Sequence, residues 1–225
     1  LWEWLYIAAT LDDAGLLGTG RTGVGFGVGT EPLAALFAAR GCRILATDQA
    51  AAQAAADGWS TDEYAGGLAG LAHPELCPPE VFARQVTYRD VDMTALPADL
   101  GEFDFTWSSC AFEHLGSLAA GMEFVTSQMA VLRPGGLAVH TTECNLSSDQ
   151  DTVAAGPTVL YRRRDLRDLA ERLRGQGYRI DLDLTEGTTP DDAHVDLPPF
   201  SEVHLRTELG GFVTTSVALV IEKPA

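Results

Sequence analysis

Three glycines at alternate positions, Gly25, Gly27 and Gly29, followed by Thr30-Glu31-Pro32 and the apolar run from Leu33 to Ala39, constrain this chain more than any other feature. Glycine lets the backbone turn through conformations closed to other residues and lie against a ligand that no side chain would tolerate. Pro32 suits the first turn of the helix that follows. The stretch therefore reads as strand, glycine turn and helix, a geometry that aims free N–H groups and the positive helix end at a bound ligand. A dinucleotide fingerprint, G-x-G-x-x-G, would need its third glycine where this chain has Thr30. The G-x-G-x-G spacing suits instead a nucleoside ligand with no pyrophosphate to cradle.

With 46% hydrophobic content, the 225 residues bury one substantial core, and residues 1–225 read as one domain. Fifteen basic against 32 acidic residues give a formal charge of −17. Such a surface offers no footprint for phosphate backbones or anionic lipid, so neither nucleic acid nor membrane is an expected partner. No apolar run approaches the roughly 20 residues of a membrane span and no signal-peptide pattern stands at the start, so a cytoplasmic protein is expected. Cys42, Cys77, Cys110 and Cys144 are far apart, without a C-x-x-C pair, which predicts free thiols and no cysteine zinc site.

Leu1 to Leu17 has the spacing of an amphipathic helix packed beside the glycine turn. A strand is expected over Arg21 to Gly25, a helix from Glu31 to Arg40 closed by Gly41, and a second strand over Cys42 to Thr47 ending in Asp48. An acidic residue about 20 positions past the glycines stands where a ribose presents its two hydroxyls. Residues 49–85 form a long, mostly helical insertion that would cover the mouth of a site. Val86 to Val91 is the third strand, and Asp92-Met93 behind it suits an adenine: the carboxylate accepts from the exocyclic amino group and the thioether packs on the ring. Phe103 to Ser109 is the fourth strand and turns through Cys110-Ala111-Phe112-Glu113-His114 into a helix. Leu132 to Gly136 reads as a helix end with a tight turn, and Leu137 to Thr142 as the fifth strand.

In this order and approximate spacing, GFGVG, Asp48, DMTALP, FDFTWSSCAFEHL and LRPGG resemble a class I S-adenosylmethionine-dependent methyltransferase over about Gly20 to Thr142, with the C-terminal third fitting in outline. The resemblance implies an α/β, Rossmann-like, doubly wound sheet of seven strands, mostly parallel, whose last strand is antiparallel; Tyr178 to Leu184 and Phe212 to Glu222 form the closing pair. It implies S-adenosylmethionine as cofactor. Gly25, Gly27 and Gly29 would lie against its methionine portion and ribose, Asp48 would hold the ribose hydroxyls, Asp92 and Met93 the adenine, and Ser108 would line the methionine end. The family usually carries an acidic residue two positions before the first glycine, where this chain has Gly23. Glu31 is the carboxylate nearest in sequence to take over its charge. The insertions at 49–85 and 185–211 would form the cover of a substrate pocket. The arginines Arg162 to Arg164 read as a solvated helix face paired with Asp165, Asp168 and Glu171.

Methyl transfer is an in-line displacement in which the protein aligns an acceptor lone pair at about 3 Å and, for a hydroxyl, removes a proton. His114, with Glu113 beside it, and His204 are the candidate catalytic residues; His140 is equally well read as a core histidine. Family members that methylate hydroxyls can carry Glu-x-x-Glu-His after the fourth strand and bind a divalent cation. Here Cys110 replaces the first glutamate, while Glu113, His114, Glu143 and His204 remain as an O/N ligand set for magnesium or manganese. The expected acceptor is a small hydroxylated molecule, a sugar, glycan or natural product. The alternatives are N-methylation of a small amine and a cofactor-fold binding or scaffold protein without chemistry. A nicotinamide-dependent oxidoreductase is disfavoured by Thr30 and by the LRPGG turn.

Overall fold

The computed structural model describes residues 2–60, 63–200 and 205–225. Helix α1 (Trp2–Asp13) precedes strand β1 (Thr22–Phe26), and the glycine turn leads into α2 (Leu33–Ala39). Gly41, at φ +96°, stops α2 by letting its own N–H and that of Cys42 turn back to the Ala38 and Phe37 carbonyls. Then come β2 (Arg43–Asp48), the short helices α3 (Ala51–Asp57) and α4 (Pro79–Gln85), β3 (Val86–Asp90) and β4 (Phe103–Ser109). Helix α5 (Leu118–Ser127), whose N-cap Ser117 accepts from the Ala120 N–H at 3.2 Å, leads to β5 (Leu132–Asn145). The remainder is β6 (Tyr161–Arg162), α6 (Arg163–Gly175), β7 (Arg179–Asp181), α7 (Pro190–Ala193), β8 (Val195–Asp196), β9 (Arg206–Leu209) and β10 (Phe212–Glu222).

Among the described residues, one sheet joins ten strands, in the order β3-β2-β1-β4-β5-β10-β9-β8, with β6 added on β5 and β7 on β10. β3, β2, β1, β4 and β5 are mutually parallel, and β10 runs antiparallel to β5 from Thr214 to Glu222. The expected doubly wound sheet is present, with β7 and β10 as its closing antiparallel pair and β6, β8 and β9 as short additions. β7 is only three residues long, well short of the stretch from Tyr178 to Leu184.

Alternation along the strands sends side chains to two apolar layers. Phe105, Trp107 and Val139 join α1 and α2 residues such as Ile7, Leu11 and Phe37 on one face. Val24, Phe26 and Ala138 join Phe124 of α5 and Leu166, Leu169 and Leu173 of α6 on the other.

The Leu132-Arg133-Pro134-Gly135-Gly136 stretch, expected as a helix end with a tight turn, follows a 3₁₀ turn (Gln128–Val131) but itself opens a strand. It lies within β5 as a bulge: pairing with β4 jumps from Phe103↔Leu132 to Phe105↔Leu137, and Gly135 takes φ +77°. Contacts distant in sequence hold it there. The Gly135 N–H donates to the Lys223 carbonyl at 2.7 Å, the Lys223 N–H returns a bond to Gly136, and Arg133 reaches Asp104 at 3.1 Å.

Candidate active site

The strand order reverses between β1 and β4, so the crevice of this sheet opens at their C-terminal ends, where the glycine turn and Cys110 stand. Gly27 and Gly29 adopt φ +59° and +50°, a region that favours glycine. A Cβ on Gly27 would lie 2.8 Å from the Ala111 Cβ and 3.2 Å from the Met93 Sδ, so the segments leaving β3 and β4 close on the turn. Gly25 is bare for another reason. A Cβ there would strike the Trp107 ring at 2.4 Å and Val28 at 2.6 Å, which makes this glycine a packing requirement beneath the turn.

Asp48 ends β2 beside the turn, its Oδ2 accepting from the Gly29 N–H and its Oδ1 from the Gln49 N–H, each at 2.8 Å. Burial raises its pKa, with a smaller contribution from Asp90, and the two N–H groups only partly offset this. Asp92 is exposed and Met93 buried; the Asp92 Oδ1 accepts from the Thr94 N–H and hydroxyl, holding the segment after β3 in a turn.

The structure accounts for Gly23. A Cβ at that position would lie 2.2 Å from the Phe105 ring, leaving no room for an acidic side chain. Glu31 places a carboxylate just past the glycines instead. It is almost fully buried and accepts a short hydrogen bond from the Trp107 indole N–H. Burial pushes its pKa up to about 8; Trp107 works against that shift, and Asp48 adds to it.

Beyond β4, Cys110 sits at φ +44°, an uncommon conformation for a residue with a side chain. Its Sγ lies 3.6 Å from the Thr141 hydroxyl and 3.7 Å from that of Ser216. Glu113 follows in a single 3₁₀ turn (Phe112–His114), fully buried, one oxygen accepting from the Thr142 hydroxyl at 3.0 Å and the other without a partner. Burial, and then Glu143, raise its pKa to about 8. His114 turns another way. Its Nδ1 lies 2.9 Å from the Pro157 carbonyl, which fixes a proton on Nδ1 and leaves Nε2 as the acceptor. Burial lowers its pKa below 6.5, outweighing the Pro157 bond and Glu63, so the ring is neutral near pH 7.

Ser108 is fully buried, with its hydroxyl 2.8 Å from the His140 Nδ1 in the α5 layer. His140 is a core histidine between the Phe112 and Phe124 rings, pushed down to about 3 by burial. Glu143 accepts from Ser216 at 3.1 Å. His204 lies outside the described residues. Among the described residues, no group of three or more His, Cys, Asp or Glu side chains is arranged to hold a metal ion. Glu113 and His114, adjacent in sequence, are committed to different partners.

Described residues of the 49–85 stretch come up against the glycine turn and the segment after β4. The Glu63 carbonyl occupies the space beside Gly29, the Tyr64 hydroxyl donates to the Gln49 carbonyl at 2.9 Å, and the Trp59 ring meets His114 edge-on with centroids 4.8 Å apart. The contact of Trp59 with His114 spans 55 positions and depends on how the insertion folds, so no local pattern signals it.

A family model described as a methyltransferase domain matches residues 23–140, just over half of the chain, from the first residues of β1 to the middle of β5. The chain belongs to this methyltransferase family. No curated protein sequence matches it. Among solved structures, the methyltransferase is similar to magnesium protoporphyrin IX methyltransferase from Synechocystis PCC 6803 with bound S-adenosylhomocysteine, at 12% identity, TM-score 0.56, and coverage of 96% of this chain and 81% of that one. It is also similar to Haemonchus contortus phosphoethanolamine N-methyltransferase 2 in complex with S-adenosylmethionine, at 14% identity, TM-score 0.60, and coverage of 99% and 53%. A third similar structure is the cyclase SpnF, at 15% identity, TM-score 0.61, and coverage of 98% and 80%. At these identities the likeness is one of fold: a class I S-adenosylmethionine-dependent methyltransferase sheet with extra inserted strands. No helix among the described residues is long and apolar enough to cross a membrane.

Proposed function

We propose that this methyltransferase uses S-adenosylmethionine to methylate a hydroxyl of a small acceptor, a sugar, glycan or natural product, with His114 as the general base. The cradle fits the cofactor on two structural grounds: the positive-φ glycines Gly27 and Gly29 expose backbone, and Asp48 is oriented beside them by the Gly29 N–H. Asp48 would hold the ribose hydroxyls, Met93 and Asp92 the adenine, and Gly27 and Gly29 the ribose and methionine portion. Glu31 would face the ammonium group in place of the acidic residue that Phe105 excludes at position 23. When bound, the cofactor supplies an electrophilic methyl carbon on a sulfonium.

The observation that carries the hydroxyl reading is the Pro157 carbonyl, which sets the His114 tautomer so that a neutral imidazole offers Nε2 to a proton. The Glu63 carbonyl beside Gly29 supports the reading of a small acceptor. We read residues 1–225 as one domain in which 49–85 and 185–211 cover the pocket.

The test is a screen of hydroxylated acceptors with His114→Asn alongside the unaltered protein. The expected outcome is a loss of turnover of roughly 10²–10⁴ in the variant, with S-adenosylhomocysteine binding kept, and an acid limb in the pH–rate profile below 6.5 that the variant lacks. Turnover of an amine acceptor that His114→Asn leaves intact would establish N-methylation instead. Cofactor binding with no turnover on any acceptor would point to the scaffold alternative.

A further inference from the structure

Among the described residues, the outer edge of β10 is paired at both of its ends and open between them. β9 pairs with Phe212 to Thr214, and β7 with Val220 to Glu222. Residues 215–218 instead line a cavity of about 260 Å³. Trp2 and Tyr6 of α1, Leu205 and Val217 provide apolar wall. Two guanidiniums, from Arg163 at the start of α6 and Arg206 in β9, converge there on one carboxylate, Glu186, which stands in irregular backbone between β7 and α7. The Arg206–Glu186 separation is 3.0 Å. Both arginine side chains keep some exposure, 29% and 19%, so neither is sealed into the core.

One guanidinium nitrogen from each arginine meets a different oxygen of the Glu186 carboxylate, and two such groups converging on one anion suit a carboxylate or phosphate. Of the other carboxylates on the wall, Asp181, Asp183 and Asp192, two are held by local donors: Asp183 accepts from the Thr185 N–H, and Asp192 from the Thr189 N–H and hydroxyl. The formal charge of −17 does not decide the matter, since at physiological ionic strength it is screened beyond about 8 Å while the arginines act at contact. The cavity also adjoins the crevice. Ser216 in its wall lies 3.7 Å from the Cys110 sulfur at the end of β4.

We propose that this cavity binds an anionic group of the acceptor, a carboxylate or phosphate held by Arg163 and Arg206, and that Glu186 occupies its place as an internal competitor until the ligand displaces it. The inference rests on the methyltransferase reading only in calling the ligand an acceptor.

The probes are inorganic phosphate and, separately, acetate, each titrated at constant ionic strength against the thermal midpoint of the full chain. Glu186→Gln removes the competitor and is expected to tighten the response to at least one probe by about tenfold or more. Arg206→Gln, and the double variant with Arg163→Gln, are expected to abolish it. A response to phosphate alone assigns a phosphorylated ligand; a response to acetate alone assigns a carboxylate. Identical responses in all variants, or none in Glu186→Gln, would overturn the proposal. S-adenosylhomocysteine binding, measured in parallel, separates the two readings. Its retention in the arginine variants shows that they are folded, and its absence from every protein alongside an arginine-dependent anion response would remove the cofactor reading and leave the anion site standing.

Discussion

The two ends of the central strands treat their carboxylates in opposite ways. At the N-terminal end, Asp104 of β4 accepts from the Thr22 N–H at 2.7 Å and its hydroxyl at 2.9 Å, and meets Arg133 at 3.1 Å and Arg21 at 3.5 Å. Burial works against its charge, but these donors together hold its pKa below the ordinary value. At the C-terminal end, Asp48, Glu31 and Glu113 all have raised pKa values, with burial the leading cause in each and a neighbouring carboxylate adding to it. One end spends its charge on holding strands together. The other keeps carboxylates short of cations, as a site built to receive a polar or positively charged ligand would.

The sharpest break of that contrast is at Asp48. Asp48→Ala is expected to weaken S-adenosylhomocysteine binding by about two orders of magnitude, near 3 kcal/mol, because two ribose hydroxyls would lose a charged acceptor. Its thermal midpoint should change little, since the lost native partners are two backbone N–H groups at a partly open turn. Calorimetric titration and a melting scan on the same sample check both halves; a large fall in the midpoint with unchanged affinity would make Asp48 a structural turn residue.

Asp104→Ala should do the reverse. It strands the Thr22 N–H and two arginines, for a loss of roughly 2–3 kcal/mol. For a chain of this size that lowers the midpoint by about 2–4 °C per kcal/mol, while cofactor affinity is kept.

The difference between the two ends also explains which parts were legible in the sequence. Phe103–Ser109 and Phe212–Glu222 match their expected bounds residue for residue: the first alternates Phe103, Phe105 and Trp107 with polar residues, and the second carries the apolar run Val217 to Ile221. The doubly wound sheet followed from the family resemblance that the ordered motifs carry. LRPGG reads as a helix end with a tight turn, and its place within β5 is hidden because Asp104 and Lys223, which pin it, are far away in sequence. β6 and β8 are two residues long, too short for any periodicity to show. The glycine triplet signalled the turn but not that Gly25 is required by Trp107, nor that Gly23 yields its space to Phe105. The pairing of Arg162 with Asp165 was visible at i,i+3 spacing, whereas that of Arg163 with Glu186 crosses the sheet edge and was not.

A smaller effect should come from Glu113. Its folded pKa of about 8 lies above the unfolded value near 4.5, so between those pH values the folded state binds the extra proton and stability falls as pH rises. Glu113→Gln mimics the protonated form. The variant should match the unaltered protein near pH 5 and exceed it in thermal midpoint near pH 8. Parallel melting curves from pH 5 to 8 would show otherwise if Glu113 were already ionised at low pH.

The smallest expected effect concerns Glu31 and tests whether the cation-poor end of the sheet receives a cation. With a pKa of about 8 in the cofactor-free protein, Glu31 is mostly protonated at pH 6.5 and largely ionised above pH 8. An ammonium group arriving beside it would favour the ionised form and drive the proton off, so binding should release a proton and tighten as pH rises from 6 to 7.5. The ligand amine is still charged over that range. The gain should be only several-fold, because Trp107 already donates to the same carboxylate and gives part of the stabilisation before the cation arrives. Titrating S-adenosylhomocysteine calorimetrically in buffers of different ionisation enthalpy measures the proton release directly. Glu31→Gln should abolish both the release and the pH trend while Asp48 continues to support binding. A variant that still releases the proton would assign it to Asp48, the other carboxylate beside the glycine turn with a raised pKa, and would leave Glu31 as the acceptor that holds the Trp107 indole under Gly25.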